Sequence, residues 1–428
     1  MKKSKYFVKA RVSKGNVFYS SVKNSYTILN NRLSDVFENN DINYIQQYEK
    51  ALFEQLCESG LIIDDEKDEL KNAHFSRMLS RMDRSTYQVS VNTTLDCNLD
   101  CWYCHENKIK GTKITNEVIE LVEKNIKATY DCNPYKELKL SFFGGEPLLN
   151  INSVKSLIEL TSEFCRERKI ELLLDFTTNG TLISKSFLTF LGKYRVIFQI
   201  TLDGSSVRHD AIRKTNNGKG TYEKIISNMH LILENIENSY LWVRFNYDDE
   251  SIHDLPKILD KIDGFNRKKC SLIIRKVWQV DHEKISKETI LSTLFLILKQ
   301  GFLVDYYTLP HNIPCFAERL NQVLINYDGK VFKCSTRDDF NDENAEGTFY
   351  ESGLIKWDFD RLAKKMVFFG DDTCYECKLY PACFGRCSEK HLQNKDGFEC
   401  VLKNLNLNIE ELVLFNLKLK QLQQKLYV

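Results

Sequence analysis

The stretch Cys97-Asn98-Leu99-Asp100-Cys101-Trp102-Tyr103-Cys104 comes directly after a short strand-like run, Tyr87–Thr93. Three thiolates at this C-x3-C-x2-C spacing can hold three corners of a [4Fe–4S] cube and leave the fourth iron open to a ligand; a fourth cysteine would have made an electron carrier instead. In parallel α/β sheets the functional residues sit at the carboxyl ends of strands. A cysteine triad placed just after a strand therefore sets the expectation for the fold around it.

Working outward, residues 86–280 alternate between strand-like and helix-like segments. The strand candidates are Tyr87–Thr93, Leu138–Phe143, Leu172–Thr177, Val196–Leu202, Leu241–Tyr247 and Ser271–Trp278. They are short, and most are rich in β-branched or aromatic residues, as buried parallel strands are. The amphipathic stretches between them include Asn116–Ala128, Val154–Cys165, Ser184–Leu191, Tyr222–Glu234 and Asp254–Ile262. Six β-α repeats predict a parallel sheet with right-handed crossovers. Periodicity leaves an open doubly wound sheet and a partial barrel as equal solutions.

The flanks read differently. Phe7–Val12 and Val17–Val22 predict a hairpin, Ile42–Ser59 an amphipathic helix ended by Gly60, and Leu61–Asp64 a strand. Residues 1–80 are thus expected to form a small winged-helix-like domain, with the charged segment 65–86 as a linker. Beyond about residue 310, short strands (Gln322–Asn326, Lys330–Lys333) are interspersed with turns and cysteines. Such a region has little core and needs metal clusters to hold it together. Leu405–Val428 has leucines at helical spacing and is expected to dock as a helix.

Composition narrows the function classes. Lys+Arg (60) and Asp+Glu (59) nearly cancel, which argues against a nucleic-acid binder. There is no signal-peptide h-region at the start and no apolar run of membrane-spanning length, so the expectation is a cytoplasmic protein without membrane contact. In that compartment, clustered cysteines are read as metal ligands before disulfides. Ten of the 14 cysteines cluster at 97–104 and 315–400; Cys57, Cys132, Cys165 and Cys270 stand alone and read as packing.

Two further motifs follow the triad in order. Gly144-Gly145-Glu146-Pro147 ends the second strand candidate, where missing Cβ atoms let backbone approach a ligand. Thr201-Leu202-Asp203-Gly204 ends the fourth and is followed by His209-Asp210 and Arg213, whose guanidinium fork suits a carboxylate. Together the three motifs resemble those of the radical S-adenosylmethionine (SAM) superfamily, in which the residue before the third cysteine, here Tyr103, is usually aromatic. The resemblance, over about 86–280, implies a partial (β/α)6 TIM-type barrel within 86–305. It implies that Cys97, Cys101 and Cys104 hold the cluster, and that Tyr103, Gly144, Gly145, Glu146, Thr201 and Arg213 bind SAM. Glu146 would meet its amino group and Arg213 its carboxylate. Thr177-Thr178-Asn179-Gly180 also matches, and Ile274 is placed against the adenine.

The later cysteines, Cys315, Cys334, Cys374, Cys377, Cys383, Cys387 and Cys400, resemble the SPASM extension of peptide-modifying radical SAM enzymes, spanning 310–402. The resemblance implies two auxiliary [4Fe–4S] clusters. Cys315, Cys334 and Cys387 would hold one, its fourth ligand unassigned, and Cys374, Cys377, Cys383 and Cys400 the other. His105 and His391 neighbour these cysteines but match no ligand position. Taken alone, the Cys374-x2-Cys377 pair would suit structural zinc. In sulfatase-maturing members an Asp follows the cysteine equivalent to Cys334. Here Ser335 stands there, and Asp338 and Asp339 are out of register.

The implied function is modification of a side chain in a ribosomally made precursor peptide, by crosslink, thioether, epimerisation or related oxidation. The N-terminal domain would recognise the leader, and an electron donor such as flavodoxin or ferredoxin would supply electrons. The catalytic acid or base is not identified by sequence. Two other classes stay open: a sulfatase-maturase-like enzyme, and a non-enzymatic iron–sulfur electron-transfer or zinc module.

Overall fold

The computed structural model describes residues 1–277, 279–280, 285–309, 314–367, 370–383, 385, 387–393, 400, 402 and 405–427. The chain opens with β1 (Lys2–Lys3), β2 (Phe7–Val12), β3 (Gly15–Ser20) and β4 (Ser25–Leu29). β2, β3 and β4 form an antiparallel sheet in that order, and β1 pairs with β5 (Ile62–Ile63). Between β4 and β5 lie three helices, Asn31–Asn39, Ile42–Tyr48 and Lys50–Glu58. The side chains of Asn30 and Asp41 cap the first two by accepting from the amides of Leu33 and Tyr44. The single helix expected over 42–59 is broken at Glu49, which leaves helical geometry (φ −132°, ψ 54°). Ile45, Leu52 and Leu56 share one small core with Phe18, Leu29 and Phe37.

The segment 65–86, expected as a linker, contains the helix Glu69–Met82, capped by Asp68. Its amphipathicity is inverted. Arg77 and Arg81 are buried and both pair with the buried Glu318, at 2.9 and 2.7 Å. Phe75, Met78, Leu79 and Met82 face outward. An apolar-periodicity reading misses such a helix because its inner face is held by charge.

Six parallel strands then follow in consecutive order: β6 (Thr86–Asn92), β7 (Glu137–Phe143), β8 (Glu171–Thr178), β9 (Arg195–Leu202), β10 (Ser239–Tyr247) and β11 (Cys270–Lys276). These are the six expected strands, with ends shifted by one or two residues; Trp278 lies outside the described residues. The order is linear and does not close, so the barrel is partial. Beyond β11 the short β12 (Leu303–Asp305) continues the parallel sheet. On the other edge β13 (Gln322–Ile325) pairs parallel with β6, and β14 (Val331–Phe332), β15 (Gly347–Phe349) and β16 (Ile355–Trp357) add in antiparallel order. Among the described residues, these eleven strands form one sheet, so the region expected as a separate cysteine-rich domain is continuous with the barrel. The last helix, Ile409–Tyr427, buries Leu412, Val413, Phe415 and Leu419 in the main core.

Each barrel strand presents two chemically different faces. Val89 and Val91, Leu140 and Phe142, Leu174 and Phe176, Phe198 and Ile200, and Val243 and Phe245 belong to the main apolar core. The alternate residues Gln88 and Ser90, Lys139 and Ser141, Asp175 and Thr177, Gln199 and Thr201, and Arg244 and Asn246 line an internal cavity of about 590 Å³. Successive side chains on a strand point to opposite faces, and this alternation builds a polar lumen inside an apolar jacket.

Candidate active site

The cavity lies toward the carboxyl ends of the strands, where Cys97, Cys101, Cys104, Tyr103, Gly144, Gly145, Thr201 and Arg213 all line it. The sequence motifs come together because their loops are bonded to one another. The amides of Gly145 and Glu146 donate to the carbonyls of Thr94 and Asp96 (3.1 and 2.8 Å). A Cβ on Gly144 would sit 2.2 Å from the Thr94 oxygen, and one on Gly145 would sit 2.2 Å from the Asp96 oxygen. Gly144 also has φ +101°, which favours glycine. Only glycines let this loop lie flat on the segment that leads into Cys97. From β8, Asn179 Nδ2 donates to Asn98 Oδ1 (2.8 Å) and approaches Cys97 Sγ (3.8 Å). From the loop after β9, the carbonyl of Lys214 accepts from the Asp100 amide (3.2 Å). Three strand-end loops thus grip the cysteine loop.

Glu146 does not line the cavity. It is fully buried. Its Oε1 accepts from the Leu148 amide and the Thr178 hydroxyl, and its Oε2 from the Asn179 amide (3.0, 2.8 and 2.7 Å). The carboxylate ties the β7 loop to the β8 loop. Ile274 is also absent from the lining. In register with Phe245, it lies in the apolar layer, so its expected place against an adenine is not supported. The phase of strand alternation, which hydropathy alone did not set, decides this.

Tyr103 is the hub of the polar rim. Its hydroxyl donates to Asp203 Oδ2 (2.5 Å) and accepts from Arg213 Nη1 (3.0 Å) and Asn246 Nδ2 (3.2 Å). Arg213 lies 3.6 Å from Asp203. Burial raises the Asp203 carboxyl and Arg213 opposes it. Arg213 is held well above its ordinary value by Tyr103, Cys101 and Asp203, which overcome its burial. Arg213 Nε and Asp203 Oδ1 are buried without a partner. Buried orphans of this kind mark a site built to receive something. Burial, reinforced by Arg275, lowers Arg244 to about 10.

Asp203, Asn246 and Arg244 carry no assigned role in the sequence reading. The signal for the last two was present: a polar residue at every second position of an otherwise apolar strand. Ser335, the residue that departs from the sulfatase-maturase pattern, lines the same cavity with Thr336 and Phe316, so the cysteine-rich region forms part of its wall.

None of the 14 cysteines forms a disulfide. Burial pushes Cys97 up to about 12, a tendency that bound metal reverses by deprotonating its thiol ligands. Among the described residues no three Cys, His, Asp or Glu side chains form a single-ion site. Away from the triad, Cys315 has Cys387 and Cys334 as electrostatic neighbours, and Cys383 has Cys377 and Cys400. The Tyr307 hydroxyl lies 2.8 Å from Cys383 Sγ. Cys374 packs with Tyr6, Ala73 and Tyr380, and Cys377 packs against the same cluster. His105 lines the barrel cavity, and the side chain of His391 lies outside the described residues.

A sequence profile of the radical SAM superfamily matches residues 91–262. Residues 91–262 are a radical SAM domain. That domain implies a [4Fe–4S] cluster and SAM. The radical SAM cyclopropyl synthase TigE of Paramaledivibacter caminithermalis is 24% identical over 393 residues, covering 83% of this chain and 79% of TigE. The cysteine-type anaerobic sulfatase-maturating enzyme of Clostridium novyi is 24% identical over 334 residues, 68% of this chain and 85% of that enzyme. The fold of Streptococcus suis SuiB, solved bound to its precursor peptide SuiA, superposes with a TM-score of 0.52 at 14% identity, over 92% of this chain and 97% of SuiB. Among the described residues no helix is long and apolar enough to cross a membrane.

Proposed function

We propose that this radical SAM protein modifies a side chain of a ribosomally made precursor peptide, with Cys97, Cys101 and Cys104 holding the SAM-binding cluster. The observation that carries the reading is the meeting of the cysteine loop with three other strand-end loops over one polar lumen. Such a cluster would supply the electron for reductive cleavage of SAM, and with it the capacity to abstract a substrate hydrogen.

The residues present fit that group. The glycine backbone of Gly144 and Gly145 lies open to the cavity for the SAM amino group. Glu146 holds this loop in place and does not bind the ligand itself. Thr201 and Arg213 face the cavity for the carboxylate, with Tyr103 and Asp203 fixing the guanidinium. Cys315, Cys334 and Cys387 would hold one auxiliary cluster, and Cys374, Cys377, Cys383 and Cys400 the other. These clusters could accept the second electron of an oxidative bond formation.

A peptide client is supported by the likeness to peptide-bound SuiB and by the N-terminal sheet. There β4 is an edge strand with Ile28 exposed, suited to pairing with an extended leader. That domain also touches the cysteine-rich region: the hydroxyls of Tyr6 and Ser21 donate to the carbonyls of Tyr375 and Lys378 (2.8 and 2.6 Å).

The test is co-expression with the short reading frames beside its gene, followed by mass spectrometry. The expected result is a mass change confined to one peptide and absent with Cys101→Ala. The likeness to the Clostridium novyi enzyme favours one other client, a sulfatase. Conversion of a sulfatase Cys or Ser peptide, with no change in any precursor, would establish that reading instead.

A further inference from the structure

Four of the cations that line the lumen are paired with carboxylates. Lys139 pairs with Asp175 at 2.6 Å, Arg213 with Asp203 at 3.6 Å, Arg275 with Asp305 at 2.6 Å, and Lys108 with Asp100 at 3.4 Å. Arg244 differs. Its Nε donates to the neutral Asn246 Oδ1 at 2.8 Å, and among the described residues no carboxylate forms an ion pair with it. The nearby Asp203 is already engaged by Tyr103 and Arg213. Arg244 lines the cavity on β10, in register with Thr201 on β9. Asn246, two residues on along the same face, bonds the Tyr103 hydroxyl beside the cysteine triad. Arg244 therefore lies one side-chain layer, about 6.6 Å, farther from the strand ends than the rim.

A guanidinium held in a protein interior without a counter-charge is costly unless its partner arrives with the ligand. The SAM-binding group does not supply that partner. The one carboxylate of SAM is assigned to Thr201 and Arg213, and the charge of the cluster lies at the cysteine triad, a layer away from Arg244. The fork of Arg244 has two Nη groups to offer, the geometry that receives a carboxylate through parallel hydrogen bonds.

We propose that Arg244 is a specificity-determining residue that binds a carboxylate of the substrate, so that the peptide entering the lumen carries an Asp or Glu at or beside the position acted upon. This rests on the reading of the barrel as a peptide-modifying site.

The experiment measures binding of three capped tripeptide probes, Ac-Ala-Asp-Ala-NH2, Ac-Ala-Asn-Ala-NH2 and Ac-Ala-Lys-Ala-NH2, to anaerobically reconstituted full-length protein saturated with SAM. The wild type is expected to prefer the Asp probe over the Asn probe by roughly tenfold or more. Arg244→Gln should erase that preference, Arg244→Lys keep part of it, and Arg244→Glu turn it toward the Lys probe. Equal affinity of the wild type for the Asp and Asn probes would overturn the proposal, whether or not any variant folds. So would an Asp preference that survives in Arg244→Gln. A loss of SAM affinity in Arg244→Gln, measured by equilibrium dialysis without peptide, would also overturn it, by placing Arg244 on the SAM carboxylate. Discrimination in a wild type that releases no 5′-deoxyadenosine would uphold this inference while refuting the radical reading beneath it.

Discussion

Glu146 shows how a motif residue can serve a site without facing its ligand. Three donors converge on its two oxygens, and it is fully buried. Glu146→Gln replaces one acceptor with a donor aimed at an N–H or O–H group. The expected loss is about 2–3 kcal/mol, read as a lower midpoint in urea, with weaker iron retention as the cysteine loop loosens. His209 gives a pH prediction. It is fully buried, accepts from the Asp203 amide at Nδ1 (3.2 Å), and lies 3.2 Å from the Thr221 hydroxyl at Nε2. Burial, with help from Arg213, lowers it from 6.5 to about 2. The unfolded chain therefore binds a proton below pH 6.5 that the folded chain refuses. Stability should fall as pH drops through that point, by about 1.4 kcal/mol per unit from this group. His209→Asn should flatten the slope between pH 6.5 and 4 in denaturation curves. Both residues belong to motifs visible in the sequence, yet their roles were not. The motif shows that Glu146 and His209 are near the site; only the phase of each turn shows which way they face.

At the scale of elements, the helix Glu69–Met82 was hidden because the usual signal is reversed: arginines inside, apolar residues outside. Glu318 is the reason it docks. Glu318→Ala would leave Arg77 and Arg81 buried without a counter-ion, with an expected cost of about 3–5 kcal/mol. That is a large share of the stability of an ordinary domain, and it should appear as a marked drop in melting temperature. A near-unchanged melting temperature would mean that the helix is held by something else. The barrel strands were legible almost to the residue, since β-branched runs bounded by turns carry their own signal. Their inner faces were less so. Gln88, Lys139, Asp175, Gln199 and Arg244 recur in phase across five strands, a pattern that shows only once the strands are aligned in register.

For the whole molecule, the boundary near residue 310 is a boundary in composition and not in structure. β13 continues the barrel sheet through β6, matching Val323 with Val89 and Ile325 with Val91. No periodicity argument could show this pairing, because it joins strands more than 200 residues apart. A chain ending at Leu309 would leave the β6 edge bare. It should aggregate on expression while the full chain remains dispersed, as size-exclusion chromatography would report. The same continuity places Ser335 and Phe316 in the cavity wall, so the cysteine-rich region shapes the site as well as any electron path. The proposed chemistry rests on three cysteines holding a cluster with one iron left for SAM. It is tested most directly by supplying anaerobically reconstituted protein with SAM and dithionite and assaying 5′-deoxyadenosine by chromatography. Release by the wild type and none by Cys101→Ala is the result expected. No release by an iron-loaded wild type, or equal release by both proteins, would contradict it.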